Sequence, residues 1–177
     1  MIYFVRHGES EANVRGVFAG QRDDSLLTAK GREQAKATAA TIKAQSLHFD
    51  AVISSPLKRT LETAHIIMKE LGIDPTHIRI DQRISEYNMG DLTGTPLTHV
   101  SSIKLISAKN AENVDAFKKR ICDCLQELAR AHENVLVVSH GGVGRMLENT
   151  LEGKEPKLFY DRPVWGNASV TKIDWIK

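Results

Sequence analysis

The chain has little of what marks several protein classes. Only two of its 177 residues are cysteine, Cys122 and Cys124. Two apart in a helical pattern, they do not face each other, so neither a disulfide nor a metal pair is expected; a reduced, cytoplasmic setting is the default. No window approaches the ~20 apolar residues that a membrane span needs. The apolar stretch Met1–Val5 is too short for a secretion signal and has no basic residues before it. Charge of one sign is scarce as well: 24 basic residues against 22 acidic ones leave +2, with no run of five like charges. The concentrated basic face that a nucleic-acid binder uses to neutralise phosphates is therefore not expected. Repeats, low-complexity tracts and Pro/Gly/Ser linkers are missing too.

What is there reads as an ordinary globular protein. Apolar residues at 41% and charged residues at 26% exclude wholesale disorder. A length of 177 residues suits one domain spanning 1–177 and allows burial of about 70% of the unfolded chain's surface. Short apolar runs at Ile2–Val5, Ala51–Ile53 and Val135–Val138 read as buried strands, with Ile78–Ile80 a weaker candidate and Ser169–Trp175 a final alternating strand. Between them lie helical patterns. Thr28 caps a helix to about Gln45 with Ala35, Ala39 and Ile42 inward. Ser55 at N-cap and Pro56 open another with Leu57, Leu61, Ala64, Met68 and Leu71 on one stripe and Gly72 as its left-handed stop. Asn113 to about Ala131 carries Val114, Phe117, Ile121, Leu125 and Leu128 at helical spacing, and Val143, Met146, Leu147 and Leu151 mark the last helix. Such alternation predicts a three-layer α/β/α sandwich with a mostly parallel central sheet. The segment from about 92 to 112 has no clear period and reads as a short excursion from the sheet.

In an open α/β sheet, ligands bind at the carboxyl ends of the strands. The first strand runs into Arg6-His7-Gly8-Glu9, the second into Ser54-Ser55 with Arg59 shortly after, and the fourth into Ser139-His140-Gly141-Gly142. Glu86 follows the weak third strand. Two guanidiniums offer forked donors that match phosphoryl oxygens. A neutral imidazole is a competent nucleophile toward phosphorus, and a second histidine, if protonated, adds a donor and positive charge. A carboxylic acid can protonate the leaving oxygen and then, as carboxylate, activate water. His48, His65, His77, His99 and His132 lie apart from this set and show no helical metal-ligand spacing, so solvated or structural roles are expected for them. Trp165 and Trp175 are expected to pack.

Further segments carry a resemblance. Arg6-His7-Gly8-Glu9-Ser10 with Asn13 resembles the RHG signature of the histidine phosphatase superfamily, the phosphoglycerate mutase-like enzymes. Leu26-Leu27-Thr28-Ala29-Lys30-Gly31 with Gln34-Ala35, Ser54-Ser55-Pro56-Leu57-Lys58-Arg59-Thr60 with Thr63-Ala64, Glu86 with Gly90 and Gly94, Ser139-His140-Gly141-Gly142, and Gly166-Asn167-Ala168-Ser169 resemble later motifs of that family, in family order. The resemblance implies that His7 is the phosphorylated nucleophile. Arg6, Arg59 and His140 would form the phosphate clamp, and Glu86 would be the proton donor and later the base. Asn13, Ala19, Gly20 and Gly141 complete the expected substrate-binding set. It implies no metal and no cofactor, and as partner a small phosphorylated metabolite, with the chain a monomer or homodimer.

The departures matter. Mutases of this family carry a middle insertion rich in Arg and Lys, whereas Leu92 to Asn110 offers only Lys104 and Lys109. Ala19 stands where they commonly place a hydroxyl residue, and Gly142 where they carry Asn. All three point toward a phosphatase rather than a 2,3-bisphosphoglycerate-dependent mutase, with specificity expected from Tyr87–Asn110 and the surroundings of Gln21. A catalytically dead module that only holds a phosphorylated ligand would be expected to have lost His7, His140 or Glu86, and all three are kept.

Overall fold

The computed structural model describes residues 1–97 and 100–174. Five strands, β1 (Ile2–Arg6), β2 (Ala51–Ser54), β3 (Arg79–Ile80), β4 (Val135–Ser139) and β5 (Val170–Ile173), form one sheet in the order β3-β2-β4-β1-β5. β1 and β2 flank β4 in parallel, β3 adds in parallel to β2, and β5 closes the other edge antiparallel to β1. The helices are α1 (Glu11–Arg15), α2 (Ala29–Ala44), α3 (Lys58–Leu71), α4 (Ser102–Ile106), α5 (Val114–Ala131) and α6 (Gly141–Leu151).

The three inner strands are apolar throughout because both of their faces are covered. Phe4, Ile53, Val135 and Val137 pack with Phe117, Ile121 and Leu125 of α5 and with Val143, Met146 and Leu147 of α6. Val5, Val52, Leu136 and Val138 point the other way, onto Ala35, Ala39 and Ile42 of α2 and Ala64, Ile67 and Met68 of α3. The alternation of strand side chains thus builds two cores and the expected three layers. Each fully buried Val, Leu, Ile or Phe contributes roughly 1.5–3 kcal/mol. α2 sits close to the loop after β1 because two glycines meet: a Cβ at Gly8 would lie 2.4 Å from the Gly31 carbonyl oxygen, and one at Gly31 would lie 2.1 Å from that of Glu9.

Several local expectations are corrected. α3 begins at Lys58 with Leu57 as N-cap and no side-chain cap. Ser55 does not cap it: its hydroxyl oxygen accepts from Leu57 N–H (3.5 Å), one residue before the helix starts, and its hydroxyl also pairs with His140 Nε2 (2.7 Å). The buried stripe of α3 is Thr60, Thr63, Ala64, Ile67 and Met68, while Leu57, Leu61 and Leu71 are only half-buried. Leu151 ends α6 exposed. β3 is two exposed residues long. The excursion after Leu92 contains α4, anchored by Ser102 N–H donating to Asp161 Oδ1 (3.0 Å) and Asp161 N–H to Ser102 Oγ (2.9 Å). His99 and Trp175 lie outside the described residues. Cys122 and Cys124 are both free. Among the described residues no helix is long and apolar enough to cross a membrane.

Candidate active site

Parallel pairing sets the carboxyl ends of β2, β4 and β1 side by side, with Arg6 in register with Ser139 and Ser54 with Val138. The loops continue that register: His7 N–H donates to Ser139 O (2.9 Å) and Ser55 N–H to Val138 O (3.1 Å). Behind β1, Asn167 Nδ2 donates to His7 O (3.0 Å), and Thr63 Oγ1 accepts from Gly8 N–H (3.1 Å). A cavity of about 200 Å³ opens at this edge. Arg6, His7, Asn13, Ala19, Gly20, Arg59, Glu86 and Gly141 all line it. His140 does not; it is fully buried behind the wall, its ring 5.4 Å from that of His7 and edge-on to it.

The His7 tautomer is fixed by its neighbour. Nδ1 lies 2.7 Å from Gly8 O, a carbonyl that can only accept, so Nδ1 carries the proton and Nε2 keeps its lone pair. Burial, then the Arg59 and Arg6 charges, hold His7 well below the ordinary histidine range, against the Gly8 hydrogen bond. His140 is held low in the same way, by burial first and then by Arg59 and His7. The protonated form considered for His140 is therefore disfavoured in the ligand-free protein, and the ring acts as a neutral donor. If the Ser55 hydroxyl donates to Nε2, the proton sits on Nδ1, which is buried with no partner.

The arginines are anchored but not satisfied. Arg6 Nη1 donates to Trp165 O (2.8 Å), and Arg59 donates through Nη1 to Asp23 O (2.7 Å) and through Nη2 to Gly20 O (2.9 Å). Burial opposes the charge on both. Arg6 Nε and Arg59 Nε are buried without an acceptor, as is His140 Nδ1. Arg145 Nε, on the same cavity, is a third such guanidinium donor; buried donors are nearly always paired, so three guanidinium orphans on one cavity describe a site built for an anion. Asn13 Oδ1 is taken by Ser10 N–H (3.0 Å) in a capping box, which leaves its Nδ2 as the group that could reach an oxyanion.

Glu86 is positioned through its carboxylate and its backbone. Oε1 accepts from Tyr87 N–H (2.8 Å) and Oε2 from Gly142 N–H (3.1 Å) at the start of α6. Its carbonyl accepts from Gln21 Nε2 (2.7 Å) and from Arg120 Nη2 (3.0 Å). Gln21 therefore supports the Glu86 segment and is not part of the cavity lining. A Cβ at position 142 would sit 2.2 Å from Glu86 Oε1, so the carboxylate can lie here only over a glycine.

A family profile supplies the deciding comparison: that of the histidine phosphatase superfamily (branch 1) matches residues 2–177. The chain belongs to the histidine phosphatase superfamily. It is 28% identical to a broad-specificity phosphatase of Saccharomyces cerevisiae over 99% of this chain and 80% of that one. It is 31% identical to a 2,3-bisphosphoglycerate-dependent phosphoglycerate mutase of Brucella melitensis over 88% of this chain and 83% of that one. Among solved structures, YhfR of Bacillus stearothermophilus superposes with a TM-score of 0.83 at 27% identity, covering 96% of this chain and 88% of that one.

This histidine phosphatase superfamily member also uses residues that sequence reasoning passed over. Val17, Phe18, Tyr160, Val164 and above all Arg145 line the cavity, whereas Lys104 and Lys109 do not. From Tyr87–Asn110 only Met89 and Leu97, among the described residues, reach it. Arg120 binds the carbonyls of Arg83 (2.6 Å) and Ser85 (2.8 Å) as well as Glu86, and pairs with Glu112 (2.7 Å). Helical periodicity could have put Arg145 on the face of α6 next to His140 and Gly141, but not its direction. No sequence signal marks Arg120. Among the described residues no three His, Cys, Asp or Glu side chains group as metal ligands.

Proposed function

We propose that the chain is a metal-independent phosphatase acting on small phosphomonoesters through a phosphohistidine at His7. One observation carries this reading: a neutral, tautomer-fixed imidazole shares a small cavity with two arginines whose Nε donors have no acceptor. His7 Nε2 attacks phosphorus in line with the ester oxygen. The P–O bond breaks as the P–N bond forms, and Glu86 gives its proton to the leaving alkoxide. Arg6, Arg59 and Asn13 stabilise the charge on the equatorial oxygens, and His140 backs the site from behind the wall, edge-on to the His7 ring. Glu86, now carboxylate, takes a proton from water, the resulting nucleophile cleaves the P–N bond, and inorganic phosphate leaves. A cavity of about 200 Å³ falls below the ~300–1,000 Å³ of drug-sized sites, which supports a small substrate. The whole of 1–177 would act as one unit with the segment around 92–112 as its cover, and the two free cysteines support a cytoplasmic setting.

His7→Ala should abolish turnover of p-nitrophenyl phosphate and acid-labile phosphoenzyme labelling, while EDTA should leave both intact. Activity lost in EDTA and restored by a divalent ion would overturn the reading. The similarity to a mutase keeps one rival in view. A mutase must hold a bisphosphorylated intermediate away from water, and here, among the described residues, the cover contributes only Leu97 to the cavity, with Met89 just before it. Each missing charged contact costs on the order of 2–5 kcal/mol of retention. With 3-phosphoglycerate and catalytic 2,3-bisphosphoglycerate, free phosphate should therefore outpace 2-phosphoglycerate; the reverse would make the mutase reading right.

A further inference from the structure

We propose that Arg145 forms a second anion subsite in this cavity, so that the preferred phosphomonoester carries a carboxylate beyond its phosphoryl group; the inference rests on the hydrolytic reading above. Arg145 is on α6, five residues beyond His140, so at 1.5 Å per residue its backbone is about 7.5 Å further along the helix axis than that of His140. Its guanidinium lies 4.2 Å from the centroid of the Tyr160 ring, and both residues line the cavity. Stacking on that ring holds the fork in place without neutralising it. Arg145 Nε is buried with no acceptor. The acid one turn along, Glu148, is paired with Arg162 (3.5 Å), which also bonds Glu152, so nothing among the described residues discharges Arg145. Val17, Phe18, Met89, Leu97 and Val164 give the same cavity an apolar share of its wall.

Charge decides the class of ligand. Arg6, Arg59 and Arg145 are the cations on the described walls, Glu86 is the one carboxyl, and both histidines favour the neutral form. With Glu86 protonated, as the first step requires, the walls carry three positive charges. A phosphomonoester dianion offsets two. One carboxylate offsets the third, and its two oxygens match the guanidinium fork. A second phosphate dianion would overshoot.

The test compares 3-phosphoglycerate with glycerol 3-phosphate, which differ in having a carboxylate or a hydroxymethyl group at the far end, and with 1,3-propanediol bisphosphate. The wild-type chain should favour 3-phosphoglycerate over glycerol 3-phosphate in kcat/KM by about tenfold or more, the scale of one charge-assisted hydrogen bond. Arg145→Met should collapse that ratio toward one, and Arg145→Lys should keep part of it. Because the ratio is taken within one preparation, partial misfolding of a variant cancels. A wild-type ratio near one, a ratio unmoved by Arg145→Met, or a stronger Arg145-dependent preference for the bisphosphate would each overturn the carboxylate subsite. Calorimetric titration of the same ligands into the His7→Ala chain separates the two readings. Tighter binding of 3-phosphoglycerate that Arg145→Met removes would sustain the subsite even if no ligand were hydrolysed, whereas hydrolysis of all three without discrimination would sink the subsite alone.

Discussion

Gly142→Ala offers the sharpest separation of stability from catalysis in this molecule. The added methyl would meet Glu86 Oε1 at 2.2 Å and nothing else closer than the rest of that carboxylate. Ordinary contact begins at 3.4 Å, so Oε1 must withdraw by more than 1 Å from where the Tyr87 amide holds it, and the carboxylate turns away from the Gly142 amide on Oε2. The obstacle is the tip of a side chain, not backbone, so the fold can absorb it. Replacing glycine by alanine inside a helix itself stabilises by roughly 0.5–1 kcal/mol, or about 1–4 °C in Tm for a chain of this size.

Activity should move the other way. A displacement of about 1 Å in a positioned group costs on the order of 10²-fold, and general acid help is worth roughly 10²–10⁴-fold. That help matters most when the leaving oxygen is basic. Glycerol 3-phosphate turnover should therefore fall about 10²-fold in Gly142→Ala, and p-nitrophenyl phosphate turnover less than about tenfold. Glu86→Gln should show the same alkyl-over-aryl imbalance. A Gly142→Ala chain that melts no lower than wild type yet loses both substrates equally would refute Glu86 as the proton donor. One that retained full alkyl phosphatase activity would refute the steric reasoning.

Three further outcomes follow from the site. His7 and His140 are held below their ordinary value in the folded chain, so below pH ~6.5 the unfolded chain binds more protons; stability should fall as pH drops there, by up to about 1.4 kcal/mol per unit for each ring, and the slope should flatten in His7→Gln/His140→Gln when Tm is followed from pH 7 to 5. Arg120→Met leaves the carbonyls of Arg83, Ser85 and Glu86 and the Glu112 carboxylate without their donor; it should cost about 3–5 kcal/mol in denaturant unfolding, and Arg120→Lys should recover stability sooner than it recovers the alkyl-to-aryl rate ratio. Orthovanadate at 100 times its Kd should raise Tm by roughly 5–10 °C, from about 2.7 kcal/mol of linkage, and the rise should be lost in Arg59→Met; an equal rise in that variant would mean that the orphaned donors are not the anion site.

The fold was legible where burial is two-sided. Ile2–Val5, Ala51–Ile53 and Val135–Val138 read as continuous apolar runs because helices cover both faces, and Thr28, Asn113 and Gly72 cap helices where their chemistry says they should. β3 was weak in sequence because an exposed edge strand has no core to announce it. Ser55 misled because α3 starts at Lys58, later than a Ser-Pro pair suggests: the Ser55 oxygen reaches only Leu57 N–H (3.5 Å), and its hydroxyl also meets His140, 85 residues away in sequence. Local chemistry cannot register a partner that only the sheet brings near.

The same limit explains what could be read of the site. The residues proposed to touch the reacting group sit at strand ends and in compact motifs, so Arg6, His7, Arg59 and Glu86 stand out. Arg145 and Arg120 are single arginines on helices, indistinguishable in a string from solvated charges; the first faces the cavity and the second grips the Glu86 segment because of how α5 and α6 pack. Electrostatics then ties the two groups together. Burial first, and then the guanidiniums that would receive a dianion, disfavour a proton on His7, so the nucleophile stays unprotonated without a carboxylate partner for the ring. An arriving phosphoryl dianion would offset those two guanidinium charges, while Gly8 O still fixes the proton on the far side of His7, so Nε2 stays the nucleophile as the phosphoryl group arrives.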